Sequence, residues 1–339
     1  MDGYIAFTEA TASQAGELTQ LVPRLEAQLA ALGAAGAFSA PGPVLLGIGA
    51  SLSAAAPAVW RLRAGGVPAW RLGAGDTPLP LATGDHPVVA ISQSGRSSET
   101  VAALESVAPE LRYAVVNTAP SPLSELASRR LELGNIADSY ASTIGYTATV
   151  TALAMLAEAW ADGRADASWA SLGERFRRAE TNLAPGLDAA AGLFAAAPSA
   201  DFVGGGGSLG SAEAGALLFR EAARIPASAM STRQYLHGSM ESAGDGVHVL
   251  FGEAREAQLA RTLADAGHRV LLVTSDPGLE VRDAAVVVLP ASSEAQRPVF
   301  EALALQGLVR RVAELRGVDI EEFVFHNDDT KLDVSDVPA

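Results

Sequence analysis

Four serines, one threonine and one glycine lie within nine residues, Ser92 to Thr100, directly after the apolar run Val88–Ile91. We interpret the run as a buried strand and the residues after it as a loop that begins a helix. Backbone N–H groups at a helix start, the helix dipole and nearby hydroxyls can hold a phosphate without any basic residue. Gly95 lets the backbone turn and approach a ligand closely. The loop is therefore predicted to bind phosphate.

A simpler interpretation is that these residues only cap a helix. Ser97 or Ser98 would then be the cap, with Glu99 or Thr100 in the first turn. We favour ligand binding because the hydroxyls cluster at the carboxyl end of a strand, where open α/β sheets hold their ligands.

The elements that must position this loop alternate between helices and strands. A helix is predicted at 13–33, and residues 145–198 are predicted to be helical. The predicted strands form two series, at 43–49, 68–72, 87–92, 112–116 and 130–133, and at 201–204, 226–230, 247–251, 269–273 and 283–288. Similar spacings in the two halves indicate an internal duplication. The alternation predicts an α/β protein with parallel sheets covered by helices on both faces.

Composition excludes several classes of protein. The 339 residues can form two domains, and 49% of them are hydrophobic, which excludes wholesale disorder. A net charge of −15 argues against nucleic acid as a partner. The chain has no cysteine, and no pattern of a secretory signal or membrane span is visible. We expect a cytoplasmic protein that is not attached to a membrane.

The serine loop, together with Gly47-Ile48-Gly49-Ala50-Ser51, resembles the signature of SIS (sugar isomerase) domains. The resemblance is closest to the isomerase half of glutamine–fructose-6-phosphate aminotransferase and to related aminosugar-phosphate isomerases and deaminases. It implies two tandem SIS domains, each a five-stranded parallel sheet in a three-layer α/β/α arrangement. It also implies a set of residues that bind the sugar phosphate: Ser51, Ser92, Gln93, Ser94, Ser97, Thr100 and Ser142.

The resemblance further implies an acid–base pair. Glu221 matches the family's glutamate that moves a proton between C1 and C2, and His237 matches its ring-opening histidine. That histidine reaches the site of a neighbouring subunit, so a homodimer is expected. In the alternative interpretation Glu221 pairs with Arg220 or Arg224, and His237 merely ends a helix. No histidine has the spacing of a metal ligand, and we predict neither a metal nor a cofactor.

Lysine marks a departure from the family pattern, because the chain contains a single one, Lys331. The family's C-terminal lysine, which forms a Schiff base with a ketose, would align near Val334. Any Schiff base here must therefore use Lys331 or not form. The missing cysteine also removes the thiolate on which the family's glutaminase activity depends.

These inferences predict a phosphosugar isomerase or aminosugar-phosphate deaminase that acts on a ketose or aminosugar 6-phosphate. A deglycase of phosphorylated sugar–amine adducts and a non-catalytic sugar-phosphate sensor are the alternatives. The predicted domain limits are 1–160 for the N-terminal helix and first domain, 161–198 for a helical linker, 199–318 for the second domain and 319–339 for a tail near the site.

Overall fold

Two parallel five-stranded sheets form the framework of the protein, which a computed structural model describes over residues 4–325 and 330–332. The first sheet contains β1 (Val44–Gly47), β2 (Trp70–Gly73), β3 (Val88–Ser92), β4 (Arg112–Val116) and β5 (Arg129–Glu132). The second contains β6 (Ala200–Gly204), β7 (Ala227–Ser231), β8 (Val247–Phe251), β9 (Arg269–Thr274) and β10 (Ala285–Val288). The orders β2-β1-β3-β4-β5 and β7-β6-β8-β9-β10 are equivalent, which supports the predicted duplication.

Ten α-helices connect and cover these strands in the described residues. They are α1 (Phe7–Ala34), α2 (Ala50–Ala64), α3 (Ser98–Glu105), α4 (Pro122–Leu126), α5 (Ile144–Asp162), α6 (Leu172–Ala191), α7 (Ser208–Ala222), α8 (Thr232–Leu236), α9 (Ala254–Asp265) and α10 (Arg297–Arg316). All ten predicted strands are present, with ends that differ by at most two residues from the prediction. The helix predicted at 13–33 begins earlier, at Phe7.

The central strand of the first sheet, β3, is buried on both faces. All five residues of β3 are buried. Val89 and Ile91 belong to the largest hydrophobic cluster, whereas Val88 and Ala90 belong to a second cluster with Leu104 of α3. A strand buried on both faces loses the alternation of polar and apolar residues, which explains its continuous apolar sequence.

Helices α2 and α7 join the two halves by close packing. A Cβ atom added at Gly210 of α7 would lie 2.6 Å from the Ser53 carbonyl oxygen of α2. Helix α5 is buried from Ile144 to Trp160, so it lies inside the largest cluster rather than on its surface. The segment predicted to be helical at 145–198 contains two helices, since α5 ends before Gly163, which has a φ of 82°.

The domain limits remain predictions, and parts of the N-terminal segment and tail, Val334 included, lie outside the described residues. Within the described ranges, no helix has an apolar stretch long enough to cross a bilayer. The neighbouring parallel strands β1 and β3 end at the same edge of the first sheet, where the loops that follow them meet.

Candidate active site

A cavity of about 190 Å³ lies at the carboxyl edge of the first sheet, and we call it the serine cavity. Three segments meet there: the loop after β1, the loop after β3 and the start of α5. Six of the seven residues predicted to bind phosphate line it: Ser51, Ser92, Gln93, Ser94, Ser97 and Ser142. Residues separated by up to 91 positions in the sequence, Ser51 and Ser142, thus face one space.

Hydrogen bonds within the loop fix its serines around the cavity. Ser92 Oγ accepts the Gly95 N–H at 3.1 Å and lies 3.1 Å from Ser97 Oγ. Ser94 Oγ accepts the Arg96 N–H at 3.3 Å. Ser97 occupies the N-cap position of α3, but its side chain forms no capping hydrogen bond. A role as a helix cap alone therefore does not account for the Ser97 hydroxyl.

Three helices, α2, α3 and α5, begin at the serine cavity. The first N–H groups of a helix have no partner inside it, and the helix dipole makes this end positive. The described lining contains one cation, Lys331, and one carboxylate, Asp138. Converging helix starts and hydroxyls make this cavity suited to an anion such as a phosphate group.

The structure does not bring Thr100 to the serine cavity. Its side chain is fully buried in the first turn of α3, and its hydroxyl has no hydrogen-bond partner among the described residues. The pattern of hydroxyl residues in the sequence did not reveal that Thr100, in the first turn of α3, is buried rather than exposed to the cavity.

Sequence reasoning also missed Asp138, which organises the start of α5. Its side chain accepts hydrogen bonds from the Thr143 N–H at 3.0 Å, the Thr143 hydroxyl at 2.8 Å and the Ser142 hydroxyl at 2.7 Å. Asp138 is 3% exposed, so these bonds replace its lost hydration. An acidic residue followed by Ser-Thr just before a long apolar helix was the available signal.

Glu221 lies in a smaller cavity next to the serine cavity. Ala50, Ser142 and Tyr146 line both cavities, which makes them neighbours. Burial raises the pKa of Glu221 to about 7. The two arginines that could have paired with Glu221 bond elsewhere, Arg220 to the Ala227 carbonyl and Arg224 to Glu322. Among the described residues no ion pair holds Glu221, so the surface-pair alternative is not observed.

His237 is exposed and follows the last residue of α8, so within one chain it lines neither the serine cavity nor the neighbouring one. Tyr235, two residues earlier, is buried and its hydroxyl lies 2.9 Å from His248 Nδ1. This contact fixes α8 against the second sheet and leaves the His237 imidazole outside the fold.

Lys331 lies at the serine cavity, where its Nζ donates a hydrogen bond of 3.0 Å to the Tyr4 hydroxyl. The predicted tail residue and the predicted phosphate loop therefore share one site. Tyr4 comes from the other end of the chain, and no sequence pattern had singled it out.

Comparison with known proteins agrees with this geometry. Residues 43–159 match the family model of the SIS domain. Over 261 residues the chain is 28% identical to the isomerizing glutamine–fructose-6-phosphate aminotransferase of Pseudomonas aeruginosa, a match that covers 69% of this chain and 42% of that protein. The chain thus spans less than half the length of this relative.

Solved structures share the fold across nearly the whole chain. The C-terminal domain of glucosamine-fructose-6-phosphate aminotransferase from Francisella tularensis has 20% identity and a TM-score of 0.77, covering 94% of this chain and 98% of that one. Tagatose-6-phosphate ketose/aldose isomerase from Escherichia coli has 19% identity and a TM-score of 0.77, covering 95% and 97%. By the family-model match residues 43–159 are a SIS domain, and by the sequence match the chain is homologous to the isomerase domain of glutamine–fructose-6-phosphate aminotransferase.

Proposed function

We propose that the protein is a phosphosugar isomerase that acts on a ketose or aminosugar 6-phosphate. The observation that carries the proposal is the position of a half-buried carboxyl group, Glu221, in a cavity that adjoins the serine cavity. The phosphate would occupy the serine cavity, and the carbon chain would extend past Ser142 and Tyr146 towards Glu221.

Glu221 has the chemistry that aldose–ketose exchange requires. Its carboxylate removes the proton from the carbon beside the substrate carbonyl, which leaves an enediolate. A proton then moves from the hydroxyl oxygen to the former carbonyl oxygen, and Glu221 returns its proton to the former carbonyl carbon. A group with a pKa of about 7 both accepts and releases a proton readily at neutral pH. No redox partner is needed, because the reaction moves hydrogen within one molecule.

His237 completes the proposal from a second copy of the chain. Cyclic sugars must open before isomerisation, and an imidazole can take the hydroxyl proton and protonate the ring oxygen. Because His237 is exposed at the end of α8, it is available to a neighbouring subunit. We propose a homodimer in which each serine cavity receives the partner's imidazole.

The names of the relatives support a phosphorylated ketose as the substrate class. One relative is an isomerizing aminotransferase of fructose 6-phosphate, and one structural neighbour is a ketose/aldose isomerase of tagatose 6-phosphate. Release of an amine from an aminosugar phosphate begins with the same proton transfer. The assay should therefore measure ammonia as well as the sugar product.

Turnover of fructose 6-phosphate and glucosamine 6-phosphate in wild type, Glu221→Gln and His237→Ala tests the proposal. Each substitution should lower kcat by about 100-fold or more, the range typical of a lost acid–base group. Calorimetry should show phosphosugar affinities within about 3-fold of wild type, since neither change touches the predicted phosphate site. Because catalysis needs the deprotonated carboxylate, kcat/KM should rise with pH through about 7 rather than near the ordinary glutamate value.

Saturable phosphosugar binding without turnover by wild type on a panel of 6-phosphates would contradict an enzyme and indicate a sensor. Full activity of Glu221→Gln would remove this carboxyl group from the mechanism.

A further inference from the structure

The segment around Lys331 is fixed on the phosphate loop by its backbone. Lys331 forms an antiparallel bridge with Ser97. The Leu332 N–H donates to the Arg96 carbonyl at 2.9 Å, and Arg96 Nε donates to the Leu332 carbonyl at 2.8 Å. The ammonium group is therefore placed at the serine cavity by main-chain contacts as well as by its own side chain.

Tyr4 approaches the same ammonium group from the N-terminal end. Its hydroxyl accepts the Lys331 hydrogen bond, and Nζ lies 5.8 Å from the ring centroid, within the range of a cation–π contact. Tyr4 is anchored in turn by a parallel bridge to Asp138 and by an edge contact with Tyr140, with the two ring centroids 5.1 Å apart. The Lys331 side chain is thus held by residues from both ends of the described chain.

The charge of Lys331 is not neutralised by any described carboxylate. Its described partners are the Tyr4 hydroxyl and ring. Asp138, the carboxylate of the described cavity lining, is engaged with Ser142 and Thr143. A phenol oxygen orients an ammonium without cancelling its charge, so that charge remains available to an anion in the cavity.

We propose that Tyr4 is a positioning residue that holds the Lys331 ammonium against the phosphorylated sugar in the serine cavity. The inference rests on the proposed function and extends it. It assigns a role to Tyr4, which belongs neither to the serine loop nor to the proposed acid–base pair of Glu221 and His237. Tyr4 acts through Lys331, so the two residues should be energetically coupled.

A double-mutant cycle measures this coupling. Calorimetry with fructose 6-phosphate would compare wild type, Tyr4→Phe, Lys331→Met and the double variant. The phenylalanine keeps the ring and removes the hydroxyl, so Tyr4→Phe should weaken binding by about 3- to 10-fold, and Lys331→Met should weaken it more. The double variant should bind no more weakly than Lys331→Met, because the Tyr4 hydroxyl then has no ammonium to position.

The single lysine offers a second, direct measurement. Lysine-selective ¹³C labelling gives the signals of one side chain, and fructose 6-phosphate should shift the Lys331 Cε resonance in wild type and shift it less in Tyr4→Phe. Tyr113→Phe is a matched control, since its buried hydroxyl donates to the Ala37 carbonyl at 3.0 Å away from the cavity. That variant should lose thermal stability while keeping its affinity.

The outcomes separate this inference from the proposal on which it rests. Wild type that binds fructose 6-phosphate, with additive losses from the two substitutions or a Lys331 signal that does not move, would overturn the role of Tyr4 and leave the proposed function intact. Wild type that binds no 6-phosphate of the panel would overturn both.

Discussion

The hydroxyl of Ser97 distinguishes the two interpretations of the serine loop, as a helix cap or as a phosphate-binding site. A capping serine would bond to backbone N–H groups of its own helix, whereas Ser97 Oγ lies 3.1 Å from Ser92 Oγ at the cavity. Both serines line the serine cavity, so a dianion there would receive more than one hydroxyl donor. Hydrogen bonds to charged groups contribute about 1.5–3 kcal/mol each, more than those between neutral groups.

At the residue scale, Ser94→Ala with Ser97→Ala should weaken binding of fructose 6-phosphate by about 100-fold or more, since two such hydrogen bonds together contribute about 3–6 kcal/mol and about 1.4 kcal/mol is tenfold in affinity. Binding of unphosphorylated fructose should change little, because it lacks the group that these hydroxyls would contact. Ser128→Ala, at an exposed serine before β5, is the control and should bind as wild type. Equal losses for fructose and its phosphate, measured by calorimetry, would place the phosphate elsewhere.

At the element scale, the start of α3 depends on a contact between the serine loop and α4. Gly95 has a φ of +65°, and a Cβ atom there would lie 2.0 Å from Ser121 Oγ. Ser121 caps α4 and exchanges hydrogen bonds with Ser124. The loop and the helix start can therefore approach each other this closely only at a glycine.

Gly95→Ala should both lower the melting temperature and weaken phosphosugar binding by about 10-fold or more. The added Cβ would lie too close to the Ser121 side chain, so either the serine loop or the start of α4 must shift. Gly84→Ala is a matched control, with a φ of +57° and no atom within 4 Å of the added Cβ. The backbone strain of about 1–2 kcal/mol is common to both variants, so their difference isolates the steric contact. Equal melting temperatures and affinities for the two variants would show that Ser121 yields freely.

At the scale of the whole molecule, the second sheet repeats the first without repeating its serine loop. Strand β8 has the position of β3 but is followed by Gly252 and Glu253. The Glu253 carboxylate accepts the Ser275 N–H at 2.9 Å and an Arg297 N–H at 2.5 Å. In the second half, a carboxylate of the chain itself thus lies in the loop that corresponds to the serine loop.

Neighbouring groups in this half are also paired internally. Arg297 bonds to Glu301 at 2.8 Å, and Glu301 accepts the Ser208 hydroxyl at 2.7 Å. Ser208 begins α7 just as Ser51 lies at the beginning of α2, but its hydroxyl faces a buried carboxylate. A phosphate placed here would meet negative charge.

Each chain should therefore bind one phosphosugar. Calorimetric titration should give a stoichiometry near one per chain, and Ser94→Ala with Ser97→Ala should weaken all of the binding rather than half of it. Glu253→Gln should leave the stoichiometry unchanged, since the amide still fills the position. Two equivalents per chain in wild type would contradict the assignment of the second half as a framework.

Local patterns in the sequence were sufficient for the order of the strands and for the serine loop, whereas the resemblance to SIS domains supplied Ser51 and Ser142. Strand β3 and its loop could be predicted because burial on both faces produces an apolar run, and a helix start needs caps and a turn within a few residues. Local patterns could not predict where α5 ends and α6 begins, nor that Thr100 is buried, since both features depend on packing against distant elements.

The sequence alone determined two α/β halves and a hydroxyl-rich loop at the end of a buried strand. The tertiary structure alone decided that Tyr4 and Lys331, 327 residues apart, meet at the serine cavity, and that Asp138 holds the start of α5 there. It also decided that a carboxylate occupies the second half's site. The physical reason is that periodicity records burial within one element, whereas these contacts are set by how the packed helices bring distant backbone segments together.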